Sequence, residues 1–169
     1  MVLRGKARRL KVDNDINTDY IISGRYKFHI SDPKELAKHV FEDLEEGFIK
    51  HLNKGDFIVA GKNFGCGSSR EQAPLALKAA GVGAIIAKSF ARIFYRNAFN
   101  LGLLLIEVPT DSIKDGQVIE IDLSSGKIKR LDDKKEIAFT PLPSFAQRLL
   151  AEGGVVNYLK KYGSLKIDV

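Results

Sequence analysis

Three short apolar runs, at residues 57–60, 83–87 and 103–108, alternate with two stretches of helical length. Runs of that size, bounded by turn residues, read as buried strands. Strands separated by helix-length spacers pair in parallel, because a parallel crossover needs a dozen or more residues. The middle of the chain is therefore α/β. The spacers read as helices at 69–80, stopping at Gly81, and at 90–101. Upstream, residues 2–12 alternate apolar and basic side chains and predict a first strand. Residues 13–18, rich in Asp and Asn, read as a turn, and residues 24–31 as a loop. A cap before Pro33 predicts a helix start, with Leu36, Val40, Leu44 and Phe48 along one face. Downstream, residues 117–123, 127–131 and 136–139 read as short strands, and 143–152 and 155–161 as closing helices around Gly153 and Gly154.

At 169 residues the chain suffices for one well-cored domain spanning 1–169, with a β-rich and helical C-terminal part from about residue 110. No apolar stretch approaches the ~20 residues of a membrane span. The N-terminus lacks the apolar region of a signal peptide. The expected location is the cytoplasm. A single cysteine, Cys66, makes no internal disulfide, and it cannot alone hold an iron–sulfur cluster, which takes several thiolates. The three histidines show no metal-ligand spacing. A net charge of +6 raises nucleic acid as a partner. The basic residues are interspersed with acidic ones, however, and form no aromatic-interleaved stripe. A solvated surface that attracts acidic substrates is the better reading.

The most chemical segment is Gly61-Lys-Asn-Phe-Gly-Cys-Gly-Ser-Ser-Arg-Glu-Gln-Ala73, between an expected strand and an expected helix. Its glycines permit tight turns and close approach to a ligand. Ser68, Ser69 and Arg70 then fall at the expected helix start, where free amides and the helix dipole favour an anion. The spacing is neither that of a Walker A loop nor of a dinucleotide fingerprint. Ser68 and Glu71 equally have the spacing of a capping box, which needs no ligand. Cys66 reads as a small loop residue, and a helix N-terminus beside it would make the thiol acidic and oxidation-sensitive.

Asn63-Phe-Gly-Cys-Gly-Ser-Ser-Arg-Glu-Gln72 resembles the active-site segment of the swivelling domain of the aconitase superfamily. Ala87-Lys-Ser-Phe-Ala-Arg-Ile-Phe-Tyr-Arg-Asn97 and Asp15-Ile-Asn-Thr-Asp19 resemble that family too, in the family's order. The chain is similar to the detached small subunits of isopropylmalate dehydratase and homoaconitase. The resemblance implies a three-layer β/β/α swivelling domain, like the fourth domain of aconitase. It implies a hydro-lyase that moves water across a carbon–carbon double bond and is inactive without a large subunit. No cofactor is expected in this chain, and a [4Fe–4S] cluster is expected on that partner. Ser68 matches the family's unusual serine base, and Ser69 and Arg70 match residues that hold substrate carboxylates. Asp19 matches an active-site aspartate, while its spacing alone reads as an Asx-turn or helix cap. Arg92 and Arg96 lie four apart on one helical face, where they could meet substrate or acidic groups of the partner; a structural or interface role is the better reading.

The family's substrate-selecting loop corresponds to residues 26–29. Homoaconitase-like members carry an arginine there for an extra carboxylate. Phe28 stands at that position and favours an alkyl group, as in isopropylmalate. Lys27, His29 or Arg25 can still reach a carboxylate, so dimethylmalate, citramalate and homocitrate stay open, as does a packing role for Phe28. The expected substrate class is a small di- or tricarboxylate hydroxy acid, with no nucleic-acid or membrane partner. The rival class is a non-catalytic anion-binding module built on the same loop.

Overall fold

The computed structural model describes residues 1–165. The chain runs β1 (Val2–Arg9), α1 (Thr18–Ile21), α2 (Gly24–Lys27), α3 (Pro33–Ala37), α4 (Phe48–His51), β2 (Phe57–Val59), α5 (Gln72–Ala79), β3 (Ala84–Ala87), α6 (Arg92–Asn100), β4 (Leu105–Glu107), β5 (Val118–Asp122), β6 (Lys127–Arg130), β7 (Glu136–Ala138), α7 (Ser144–Ala151) and α8 (Val155–Tyr162). Residues 166–169 of the expected domain lie outside the described residues. Among the described residues, no helix is long and apolar enough to cross a membrane.

One seven-stranded sheet runs in the order β4-β3-β2-β1-β5-β6-β7. The pairs β1–β2, β2–β3 and β3–β4 are parallel, as the helix-length spacers require. The pairs β1–β5, β5–β6 and β6–β7 are antiparallel. β1 therefore joins two half-sheets. Side chains of the parallel strands alternate between two cores. Ile58, Ala60, Ile85, Ala87 and Leu105 face the helical layer with Leu36, Phe41, Ala73, Leu77 and Phe94. Phe57, Val59, Ala84, Ile86 and Ile106 face the antiparallel half, against Ala7, Ile119, Ile121 and Ile128. This is a three-layer β/β/α architecture, with the parallel strands buried on both faces. Each buried Ile or Leu contributes about 1.5–3 kcal/mol of apolar transfer.

The expected strands appear with slightly shorter bounds. The helices differ more. The face of Leu36, Val40, Leu44 and Phe48 is not one helix: α3 stops at Ala37. Phe41 then adopts a left-handed φ of 59°. Its N–H donates to the Ile21 carbonyl at 3.0 Å, a contact with α1 that a continuous helix would forbid. Leu36, Val40 and Phe48 are still buried, with Leu44 packed on them. The pattern marked burial correctly and continuity wrongly. The expected loop at 24–31 contains a helical turn, α2, begun by Ser23, whose hydroxyl accepts from the Arg25 N–H.

The C-terminal helices close the molecule over the end of α6. Lys78 Nζ donates to the carbonyls of Leu101 and Gly153. A Cβ on Gly102 would lie 2.4 Å from the Gly153 carbonyl carbon, so the two backbones meet only with glycine at that crossing. The outer face of the antiparallel half carries Arg4 opposite Glu120, Glu120 opposite Lys129, and Lys129 opposite Glu136. This ladder of alternating sign is a solvated face, not a basic stripe.

Asp56, just before β2, anchors β1. Its Oδ2 accepts from Arg8 Nε at 2.7 Å and from the Asn53 N–H at 3.0 Å, and its Oδ1 from the Lys6 N–H at 3.3 Å. The carboxylate side chain is only 7% exposed. Burial works against its charge, but these donors hold the carboxyl below its usual range. The stabilisation is thus complete above the unfolded pKa of about 4 and is lost as pH falls through the lower folded value. Asp56→Asn should cost about 2–4 kcal/mol at pH 7. In chemical unfolding the gap between variant and parent should narrow below about pH 4; an equal gap across pH 3–7 would contradict this role.

Candidate active site

The segments after β1, β2 and β3 lie together at the carboxyl ends of the parallel strands, the usual ligand-binding edge of an open α/β sheet. Hydrogen bonds lace the central loop, residues 61–70, to both neighbours. On the first side, the Gly61 N–H donates to Asp13 O at 2.7 Å, the Gly65 N–H to Ile16 O at 2.8 Å, and the Thr18 N–H to Cys66 O at 2.9 Å. The Thr18 hydroxyl donates to Ser68 O at 2.9 Å. On the other side, the Phe64 N–H donates to Ser89 O at 3.0 Å, and the Ala91 N–H to Phe64 O at 2.9 Å. The Asn63 N–H donates to Ser89 Oγ at 2.8 Å. Both of the other resembling segments are therefore bonded to the central one.

The loop bends through Asn63 at φ 60°, Gly65 at 79° and Gly67 at 92°. At Gly65 a Cβ would lie 2.2 Å from the Phe94 ring, so glycine is required by space as well as conformation. Phe94, Phe64 and Phe90 stack edge to face beneath the loop, with Phe64 5.4 Å from Phe94 and 6.0 Å from Phe90.

Above this floor is a cavity of about 460 Å3, lined by Thr18, Gly67, Ser68, Ser69 and Arg70 on one wall and by the start of α6, with Arg92 and Arg96, on the other. Arg70 pairs with Asp19 through Nη1. The Arg70 side chain is 14% exposed, and its Nε–H is buried without a partner among the described residues. A buried unpaired donor is costly, and a bound carboxylate would satisfy this one. The Tyr95 N–H donates to the Ala91 carbonyl at 3.0 Å. The amides of residues 92–94 precede this bond and have no acceptor within the helix. They give the cavity a positive helix end. Ser68 and Ser69 are exposed in the isolated chain.

Ser68, Ser69, Arg70 and Asp19 thus come together as the sequence suggested, but two details differ. The helix after the loop starts at Gln72, not 69. The Ser68 carbonyl, which a longer helix would use as its first acceptor, is held by Thr18. No capping box forms: Glu71 is the N-cap residue and makes no side-chain cap bond. The helix end at the cavity is that of α6. Nor does Asp19 cap a helix, because Asn17 caps α1 and accepts the Tyr20 N–H at 2.9 Å. Cys66 is not acidified either. Burial raises its thiol pKa, and the Asp15 charge adds to that.

Lys27, Phe28 and His29 do not line the Ser68 cavity. They open on a neighbouring one of about 440 Å3, which shares the chain after Arg70 through Glu71 and Gln72. Phe28 is 78% exposed, with Lys27 Nζ 4.3 Å from its ring centre. The loop is braced from behind. Tyr26 stacks on His39 at 3.8 Å, His39 Nδ1 meets Glu42 at 2.9 Å, and Arg25 pairs with Asp43. Sequence reasoning left substrate contact open for Arg92 and Arg96 while favouring a structural or interface role, and it missed Thr18. Their membership of the other two resembling segments was the available signal.

Cys66 is the one cysteine of the sequence, and among the described residues no group of three His, Cys, Asp or Glu could hold a metal.

Comparison with known proteins agrees with this geometry. The family described as the aconitase C-terminal domain matches residues 13–111, which include all three site segments. The 3-isopropylmalate dehydratase small subunit of Wolinella succinogenes is 55% identical over 151 residues, 89% of this chain and 90% of that one. The small subunit of Caldicellulosiruptor bescii is 51% identical over 170 residues, 99% of each chain. The crystal structure of a 3-isopropylmalate dehydratase chain from Methanocaldococcus jannaschii superposes with a TM-score of 0.89 at 49% identity, covering 96% of both chains.

Gly65→Ala tests the packing of the loop. The left-handed φ costs an L-residue about 1–2 kcal/mol, and the clash with Phe94 adds about 1–3 kcal/mol. Thermal unfolding should show a loss in that range; a change under about 0.5 kcal/mol would mean the loop relaxes freely.

Proposed function

The chain belongs to the aconitase C-terminal domain family, and on that premise we propose that it is the small subunit of a two-chain 3-isopropylmalate dehydratase. The reaction converts 2-isopropylmalate to 3-isopropylmalate by loss and return of water, a step of leucine biosynthesis that would place the protein in the cytoplasm. The observation that carries this reading is the meeting of Ser68, Ser69 and Arg70 with a cationic wall on one open cavity. Identity above 50% along nearly the whole chain to small subunits supports it.

Dehydration removes a proton from one carbon, next to a carboxylate, and hydroxide from its neighbour. Ser68 is the group in this chain placed to take that proton and return it on the other carbon. A free serine hydroxyl is a poor base at neutral pH, so its anion needs nearby positive charge and exclusion of water. Arg70 and the first turn of α6 line the same cavity and supply the charge. Exclusion of water has to come from elsewhere, since Ser68 is exposed here. The large subunit supplies that cover. A [4Fe–4S] cluster on that subunit would supply Lewis acidity for departure of the hydroxyl. Ser69 and Arg70 hold one substrate carboxylate, with the unpaired Arg70 Nε as part of the grip and Asp19 orienting the guanidinium. Phe28, flanked by Lys27 and His29, presents the apolar surface for the isopropyl group once the partner closes the two neighbouring cavities into one.

Two substitutions test this. Ser68→Ala should lower turnover of the assembled enzyme by about 10²–10⁴-fold, with assembly with the large subunit unchanged. Undiminished turnover would remove Ser68 from the chemistry. Phe28→Arg should shift relative kcat/KM at least about tenfold towards substrates with a third carboxylate, measured on a panel of malates and homocitrate. An unchanged ratio would mean that the loop does not select the substrate.

A further inference from the structure

We propose that Arg92 and Arg96 are the second carboxylate grip of this site. The inference rests on the dicarboxylate reading above and deepens it. Arg70 already shares its charge with Asp19, so on its own it is too little to hold both carboxylates of a diacid. A dicarboxylate brings two negative charges. The remaining cations on the cavity wall are Arg92 and Arg96. Among the described residues neither has a hydrogen-bond or ion-pair partner, although Arg70 across the cavity and Lys88 before α6 both do.

Their placement is fixed by the fold. Arg92 begins α6 and Arg96 follows one turn later, so both guanidiniums share a helical face. Between them in the chain, Phe94 is buried beneath the loop and locks the helix rotation that aims that face. Arg70 and the two serines stand on the opposite wall of the same cavity. A hydroxy diacid bound there has one carboxylate at Ser69 and Arg70 and the other at Arg92 and Arg96. Its carbon–carbon bond then lies between the walls, beside Ser68. The forked guanidinium suits a planar carboxylate, and two of them match it better than a single ammonium would. The contribution of this grip is binding and orientation, so its loss should appear mainly in KM.

The test uses the complete two-chain enzyme with Arg92→Gln, Arg96→Gln and the double variant. Both positions are exposed, so folding should be intact, checked by an unchanged melting temperature. For 2-isopropylmalate, KM should rise roughly 10- to 100-fold in each single variant, with a much smaller change in kcat. Calorimetric affinity for a monocarboxylate analogue, lacking the carboxyl held by this pair, should change less than threefold. Arg96→Lys should recover part of the loss. Unchanged KM would overturn the proposal. So would equal losses for the mono- and dicarboxylate. Loss of assembly with the large subunit would overturn it as well, because the arginines would then be partner contacts. If the parent enzyme fails on 2-isopropylmalate, the dehydratase reading fails instead; the proposal then stands only if a dicarboxylate such as malate binds the parent more tightly than the variants.

Discussion

The structure depends on one clamp. The loop at 61–70 is too rich in glycine and left-handed backbone to hold its shape alone. Thr18 holds it from one side, bonding Cys66 and Ser68 in succession. Ser89 and Ala91 hold it from the other, at Asn63 and Phe64. Phe94 presses up into the space left by the missing Cβ of Gly65. These contacts join strands that lie side by side in the sheet, so sheet order and site geometry are one constraint. Were β1 not parallel to β2, residues 13–19 would leave the opposite end and the clamp would be lost.

The clamp also explains the electrostatics. Because the helix begins only at Gln72, Ser68, Ser69 and Arg70 stay on the loop, where they line the cavity. The positive helix end then comes from α6, across the cavity. A cavity with donors on two walls can hold an elongated dianion along its length. The same openness leaves Ser68 in water, where a serine is no base. Half an active site is therefore what the chain provides. The relatives are named small subunits, and on the proposed reading burial of the serine waits for a large partner.

Much of this was legible in the residues. The apolar runs at 57–60, 83–87 and 103–108 became β2, β3 and β4, because short buried strands leave little room for another reading. The glycine spacing around Cys66 and the three resembling segments pointed to the site. What was illegible depended on contacts distant in sequence. The capping-box spacing of Ser68 and Glu71 was locally sound, yet Thr18, 50 residues away, took the Ser68 carbonyl that a helix begun there would have used as its first acceptor. Phe41 ended a periodic apolar pattern because Ile21 offered its amide an acceptor. Arg92 and Arg96 were read as structural or interface residues, since a helical period shows that two side chains share a face and not what that face meets. The thiol of Cys66 was misjudged for the same reason as the cap: the helix it was thought to precede begins further on.

The central claim is that this chain holds one half of a dehydratase site, unable to work uncovered. The direct measurement is turnover of 2-isopropylmalate, followed by absorbance of the unsaturated intermediate, under anaerobic conditions. It compares this chain alone, the cluster-bearing large subunit alone, and the two together. The account predicts turnover only in the mixture, saturating as this chain is added. Turnover by the large subunit alone, or none in a mixture that has demonstrably assembled with its cluster intact, would contradict it.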